Sequence, residues 1–229
     1  MLLIQNEVIT KMKTNFKDFL SELDSIIARD PATTSRLEAF LCSSGYHGIL
    51  FYRLAHKLWQ RNWRLTARLI SQFGRFITGV EIHPGATIGK NFFIDHGMGT
   101  VIGETSVIGN NVTMYHGVTL GGTKSFTGSH GKRHPTLEDN VIVGSGAQIL
   151  GPITVGKNSK IGANATVVKD VEPNTTVVGV AAHKTMPSKT TAFAPYGINL
   201  KAPDPYDKRI NELEAKITAL QNELNKKSK

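Results

Sequence analysis

Cysteine is nearly absent, with Cys42 alone among 229 residues. That excludes an internal disulfide framework and any cysteine-based zinc cluster, and it suits a reducing compartment, so the cytoplasm is the expected location. Aromatic residues make up only 7%, which points to a core of small and branched side chains rather than large rings. No apolar run approaches the ~18 residues of a membrane span. The opening stretch MLLIQNEVITKMKTNF is broken by Glu7 and lacks a basic leader, so neither a signal peptide nor a membrane partner is expected. A basic stripe is missing too. The net charge is +9, yet Lys and Arg are scattered, eleven in residues 1–78, nine in 79–200 and seven in 201–229. Without basic residues interleaved with aromatics the charge does not read as a nucleic-acid surface, and a small anionic ligand suits it better.

What is present falls into regions of different character. Residues 1–78 read as an α-helical N-terminal region. Phe16, Phe19, Leu20, Leu23, Ile26 and Ile27 recur at helical spacing, and Asp30-Pro31 stops the run. A second short helix carries Leu37, Phe40 and Leu41 and ends at Gly45; beyond it Ile49, Leu50, Leu54, Leu58, Leu65 and Leu69 supply one long helix or two. At the other end, residues 183–209 are punctuated by proline and read as an extended arm. In residues 210–229, Ile210, Leu213, Ile217, Leu220 and Leu224 alternate steps of three and four. Such an amphipathic helix either lies on its own domain or zips with the tails of other copies into a short coiled coil.

Residues 79–182 keep a different rhythm. Aliphatic or Met residues fall at 82, 88 and 94, then at 102, 108, 114 and 120, then at 137, 143, 149, 155, 161 and 167, six apart within each block and often followed by Gly. Period six is neither helical nor simple alternation, and it marks a parallel β-helix in which three hexads make one triangular turn. Each aliphatic residue then stacks inside the prism on the one eighteen residues away. The fold class is therefore α+β, with helices followed by a hexapeptide-repeat β-helix, an extended arm and a short terminal helix. Such a prism must cover its faces and ends, which the helices and neighbouring copies are suited to do.

Two interruptions break the rhythm, and departures from a uniform scaffold mark places where something other than stacking is served. The first adds two residues around Asp95-His96. The second is the stretch GGTKSFTGSHGKRHPT, 121 to 136, which includes Arg133 and His134. A guanidinium suits a carboxylate, and an imidazole titrates near neutrality. Glu81 precedes His96 by fifteen residues, less than one turn of hexads, so a carboxylate on Nδ1–H would leave Nε2 as a base.

At these residues the sequence resembles the serine O-acetyltransferases. The matching stretches are RDPA (29–32), GYHGILFYRLAHKLW (45–59), EIHPGATIG (81–89), IDHGMGTVIGETSVIGNNVTMYHGVTLGGT (94–123), KRHPTL (132–137) and VGSGAQILGPITVGKNSKIGANATVVKDVEPNTTVVGVAA (143–182). The resemblance implies a left-handed β-helix assembled as a homotrimer with active sites between subunits, and acetyl transfer from acetyl-CoA to L-serine without a metal. It implies His96 as general base, oriented by the acid at Glu81, where the best-known members carry Asp. It places the serine ammonium on Asp30 and Asp95, the carboxylate on Arg133 with His134 nearby, and CoA against Gly122, Thr123, Ser145 and Ala163 with Lys160 close. Feedback inhibition by cysteine is implied by resemblance alone. About 30 residues precede Asp30, fewer than in the long forms that join two trimers, so the resemblance leaves a hexamer open beside the homotrimer. The ending NELNKKSK lacks the terminal isoleucine through which relatives bind O-acetylserine sulfhydrylase, so that complex is not expected. Three alternatives remain at this point: an acetyltransferase for another hydroxyl, a zinc-dependent carbonic anhydrase of the γ type using His83, His96 and His116, and a non-catalytic prism.

Overall fold

The computed structural model describes residues 19–123, 131–179 and 212–221. Its centre is a stack of two- and three-residue strands: β1 (Glu81–Ile82), β2 (Thr87–Ile88), β3 (Phe93–Ile94), β4 (Val101–Ile102), β5 (Val107–Ile108), β6 (Thr113–Met114), β7 (Thr119–Gly121), β8 (Thr136–Leu137), β9 (Ile142–Val143), β10 (Gln148–Leu150), β11 (Thr154–Val155), β12 (Lys160–Ile161), β13 (Thr166–Val167) and β14 (Thr176–Val177). Strands three apart in the chain pair in parallel, except that β14 pairs with β12. Sheet A runs β1-β4-β7-β10-β13, sheet B β11-β8-β5-β2 and sheet C β14-β12-β9-β6-β3. The three sheets are the faces of a left-handed prism.

The register follows the hexads. Ile102 pairs with Leu120, Leu137 with Val155, Val143 with Ile161 and Ile149 with Val167, each eighteen residues apart. Ile102, Ile108, Met114, Leu120, Leu137, Val143, Ile149 and Val155 are fully buried, each worth about 1.5–3 kcal/mol relative to exposure. The first coil takes twenty residues, pairing Ile82 with Ile102. The coil holding the long insertion takes twenty-nine, pairing Leu120 with Ile149. Near the end, Val155 bridges Val171 after only sixteen, with Asp170 Oδ1 accepting from the Thr154 N–H at 2.7 Å.

Corners need left-handed backbone, and the sequence supplies residues that tolerate it. On the B–C edge Asn91, Asn111, Asn140, Asn158 and Asn174 all have positive φ. Their amides bond along the prism, Asn140 Nδ2 to Asn158 Oδ1 at 3.0 Å and Asn158 Nδ2 to Asn174 Oδ1 at 2.9 Å. A short polar side chain that hydrogen-bonds locally offsets the left-handed penalty. On the C–A edge that role falls to Gly117, Gly146 and Asn164.

The helices are α1 (19–27), α2 (Arg36–Cys42), α3 (Ser44–Gln60) and α4 (Arg64–Thr78), with α5 at 212–221. The expected end of the second helix at Gly45 is corrected. Ser43 closes α2 and also caps α3, its hydroxyl accepting from the Tyr46 N–H, so Gly45 lies in the first turn of α3. It is pressed against the Ile94 carbonyl with no room for a Cβ. The apolar run beyond it is two helices, α3 and α4. Gly79, left-handed at φ 71, ends α4 by donating its N–H to Arg75 O and turns the chain into β1.

Helices and prism share one core, in which Ile49 and Tyr52 pack with Val80 and Ile82, and the Tyr52 hydroxyl donates to Ala86 O at 2.7 Å. A second cluster joins Leu23, Ile26, Ala39 and Tyr46 to Phe93 of β3. Residues 181–229 form a separate unit, in which Leu213, Ile217 and Leu220 of α5 are exposed. The predicted arm at 183–209, the predicted end of the prism at 180–182, and Ile210 and Leu224 lie outside the described residues. Among the described residues no helix is long and apolar enough to cross a membrane.

Candidate active site

The two-residue slip falls on the C–A edge between β3 and β4. Where other coils turn that edge with one left-handed residue, here His96, Gly97 and Gly99 have φ of 60, 80 and 75. The corner backbone is pinned from several sides. The Asp95 N–H donates to Met114 O at 2.9 Å, the Gly99 N–H to Gly79 O at 3.0 Å, and the Ser44 hydroxyl at the start of α3 to His96 O at 2.6 Å. A fixed backbone therefore carries an imidazole whose side chain is 73% exposed, beside an Asp95 carboxyl 25% exposed and 3.9 Å from Nε2. The His116 ring, one coil further along the same edge, meets it edge to face at 5.6 Å.

Asp30 joins this group from the end of α1. Its carboxylate accepts from the Ala32 N–H at 2.9 Å and the Thr33 hydroxyl at 2.6 Å. The Thr33 bond, then the Ala32 bond, hold its carboxyl below the usual range, and the charge of His96 adds a smaller pull. Asp30 and Asp95 thus each lie within electrostatic reach of His96. Glu81 does not complete them: its Oε2 lies 3.0 Å from Arg75 Nη1 in the last turn of α4. The Gly79 turn folds α4 back so that Arg75 overhangs β1. The pair is exposed, 56% and 28%, and so is worth no more than about 1 kcal/mol.

The other expected residues gather on the opposite, A–B edge of sheet A. Thr105, between β4 and β5, organises the end of the insertion. Its hydroxyl oxygen accepts from the Arg133 N–H at 3.0 Å and the His134 N–H at 3.1 Å, while the hydroxyl and the Thr105 N–H both reach His134 Nδ1, at 2.9 and 3.2 Å. An Nδ1 that accepts leaves the proton on Nε2. Burial, then the Arg133 charge, push the His134 pKa down, so the ring is a neutral Nε2–H donor near pH 7. It lies over Gly103, where a Cβ would collide with it. Arg133 Nη2 donates to Glu104 Oε2 at 2.6 Å. Lys132 Nζ donates to Thr105 O at 2.7 Å, and burial lowers its pKa. His83 sits on this edge too, its Nδ1 accepting from the Gly85 N–H at 3.0 Å and its ring against Trp59 at 4.9 Å. Burial first, then Arg68, bring its pKa down to about 4.

The residues expected at CoA divide in the same way. Gly122 and Thr123 follow β7 on the A–B edge, next to Arg133 and Gly151 respectively. Ser145 and Ala163 occupy successive C–A corners, where the Asn164 N–H donates to Ser145 O at 2.8 Å, and Lys160 is exposed on β12. Among the described residues no hydrogen bond or ion pair joins the His96 group to the Arg133 group. Nor do His83, His96 and His116 converge, since no three His, Cys, Asp or Glu side chains there are placed to hold a metal ion. Sequence reasoning missed Thr105 and Glu104, whose signal was the GET that follows Ile102, in the coil to which Arg133 and His134 bond. It also missed Arg75, which only the reversal at Gly79 brings over Glu81.

The family model described as bacterial transferase hexapeptide (six repeats) matches residues 134–169. The serine acetyltransferase of Bacillus subtilis is 47% identical over 209 residues, covering 91% of this chain and 94% of that one. Among solved structures, Neisseria gonorrhoeae serine acetyltransferase in complex with serine superposes with a TM-score of 0.69 at 38% identity, covering 78% of this chain and 72% of that one. Isoform 3 from Entamoeba histolytica in complex with cysteine gives 0.70 at 36%, covering 79% and 63%. The prism, the slip at Asp95-His96 and these likenesses along most of its length agree: the chain belongs to the serine acetyltransferase family.

Proposed function

We propose that the chain transfers the acetyl group of acetyl-CoA to the hydroxyl of L-serine, giving O-acetyl-L-serine and CoA, the first step of cysteine biosynthesis. The observation that carries this reading is the division of the expected site residues between the two edges of sheet A. A C–A edge with a base and two carboxylates suits an amino alcohol's hydroxyl and ammonium. An A–B edge with a guanidinium and a neutral N–H donor suits its carboxylate and a developing oxyanion. The two halves become one site when the C–A edge of one prism meets the A–B edge of the next, so the proposed assembly is a homotrimer with shared sites.

Acetyl-CoA supplies the acyl group as a thioester. Small Ser145 and Ala163 at successive corners, with the exposed Lys160 ammonium on the neighbouring strand, are compatible with a slender amide arm ending in phosphates; Gly122 and Thr123 would face it from the adjoining copy. His96 takes the hydroxyl proton as the serine oxygen attacks the carbonyl carbon; collapse of the adduct breaks the C–S bond and the proton passes from His96 to the departing CoA sulfur, and a positioned imidazole contributes about 10²–10⁴-fold. Asp30 and Asp95 hold the ammonium. Glu81 orients His96 once it leaves Arg75, a weak surface partner. Arg133 binds the carboxylate in exchange for Glu104, and His134 Nε2–H faces the negative charge that develops on the carbonyl oxygen. Cysteine, a thiol in place of the hydroxyl, would fill the same serine pocket as an inhibitor, and the cytoplasm, where acetyl-CoA is available, is the proposed location.

The test is an acceptor panel of amino acids and amino alcohols assayed for CoA release, with Arg133→Ala beside the wild type. L-Serine is expected as the preferred acceptor, and Arg133→Ala is expected to raise KM for serine about tenfold or more while that for acetyl-CoA stays within about twofold. Preference for an acceptor without a carboxylate would overturn the reading.

A further inference from the structure

Arg29 takes no part in the chemistry above, yet it is one residue from Asp30 and points the other way, into the seam between α1 and the first two coils. Its guanidinium is half-buried and meets no carboxylate among the described residues. Instead it donates to uncharged oxygens: Nε to Ser25 O at 3.0 Å, Nη1 to Val112 O at 3.2 Å and Thr113 Oγ1 at 3.0 Å, and Nη2 to Ser25 Oγ at 2.5 Å and Asn91 O at 2.6 Å. The same group lies 5.1 Å from the centroid of the Phe93 ring. Burial draws its pKa down to about 10, which leaves it charged at neutral pH.

Holding a cation out of water without a counter-charge is costly, and two observations show what this one arranges. The donors link α1 at Ser25 to Asn91, just before β3, and to Val112-Thr113 at the start of β6, its neighbour in sheet C, and β3 leads directly into Asp95 and His96. Asp30 is rigidly coupled to Arg29, both N–H groups bonding to Ile26 O, at 2.8 and 3.0 Å. The planar fork with five N–H donors therefore sets the position of Asp30 relative to His96, which an ammonium with three donors from one point cannot reproduce.

We propose that Arg29 is a positioning residue for the amino-acid site, acting through Asp30. The inference rests on the reading that Asp30 binds the serine ammonium, and a double-mutant cycle separates the two. Measured with full-length protein, Asp30→Asn is expected to raise KM for serine about tenfold. Arg29→Met is expected to raise it about fivefold with KM for acetyl-CoA within about twofold, Arg29→Lys recovers part of that loss, and Arg29→Met added to Asp30→Asn changes KM for serine less than about twofold further. Thr113→Val, which deletes one acceptor, is expected to give a smaller rise of about twofold in the same constant, and it decides the matter where Arg29→Met does not fold. A wild-type KM for serine in Arg29→Met or in Thr113→Val, equal rises in both substrates' KM, or an effect that multiplies fully with that of Asp30→Asn overturns the proposal. A wild-type KM in Asp30→Asn, or a wild type that does not acetylate serine, overturns the underlying reading instead.

Discussion

The coils from β8 to β13 and those from β1 to β7 are built from the same hexads, but both interruptions of the repeat fall within or directly after the second group. In the later coils Leu137, Val143, Ile149, Val155 and Ile161 stack at a spacing of eighteen, and the corners close with single left-handed residues. In the earlier coils the spacing stretches to twenty around His96 and twenty-nine around Arg133 and His134. Regular coils spend their side chains on stacking; extra residues at a corner leave side chains that stacking does not claim. The difference shows how a rigid repeat obtains chemistry: the ladder on either side fixes the backbone, and the surplus residues project from it.

The largest expected effect that separates the two regions comes from a single added methyl. Gly103→Ala places a Cβ against the His134 ring that Thr105 holds, and the displaced ring is expected to lower kcat/KM for serine about 100-fold. Gly162→Ala, in the regular region, meets the Val178 side chain at 3.1 Å and its Cα at 3.3 Å, so the backbone at Val178 must give by a few tenths of an ångström, and kcat/KM for serine is expected to stay within about twofold. Equal effects would remove the distinction.

The reverse experiment trims the stack. Val143 is fully buried between Met114 and Ile161, so Val143→Ala is expected to cost about 2 kcal/mol of unfolding free energy by denaturant titration. Activity per folded molecule should not change.

A smaller effect concerns pH. Unfolded, His83 takes up a proton near 6.5; folded, it does so only near 4. Between those values the unfolded chain binds more protons, so stability falls as pH is lowered through that window. His83→Asn is expected to lessen the Tm loss between pH 7 and pH 4.5 by roughly 2–4 °C, read by thermal scans of both proteins.

The prism was legible from the sequence because a buried aliphatic residue at every sixth position suits neither a helix nor an ordinary strand, and the interruptions were legible as departures from that beat. Gly45 misled because glycine ends many helices, whereas here it serves a close approach to Ile94 that only the tertiary packing reveals. The convergence of Asp30 with His96 rests on a clamp spanning more than eighty residues, from Arg29 to Val112 and Thr113, which no local pattern announces. The Glu81–Arg75 pair depends on the direction in which α4 reverses. Residue types and defects were readable; the partners chosen across helix and prism were not.

The central claim is that the slip in the repeat houses the base. Its most direct test is the initial rate of CoA release with L-serine and acetyl-CoA for the wild type and His96→Ala. A base at this position predicts that kcat falls about 10²–10⁴-fold, with both KM values close to wild type. Activity in His96→Ala within tenfold of the wild type would contradict it.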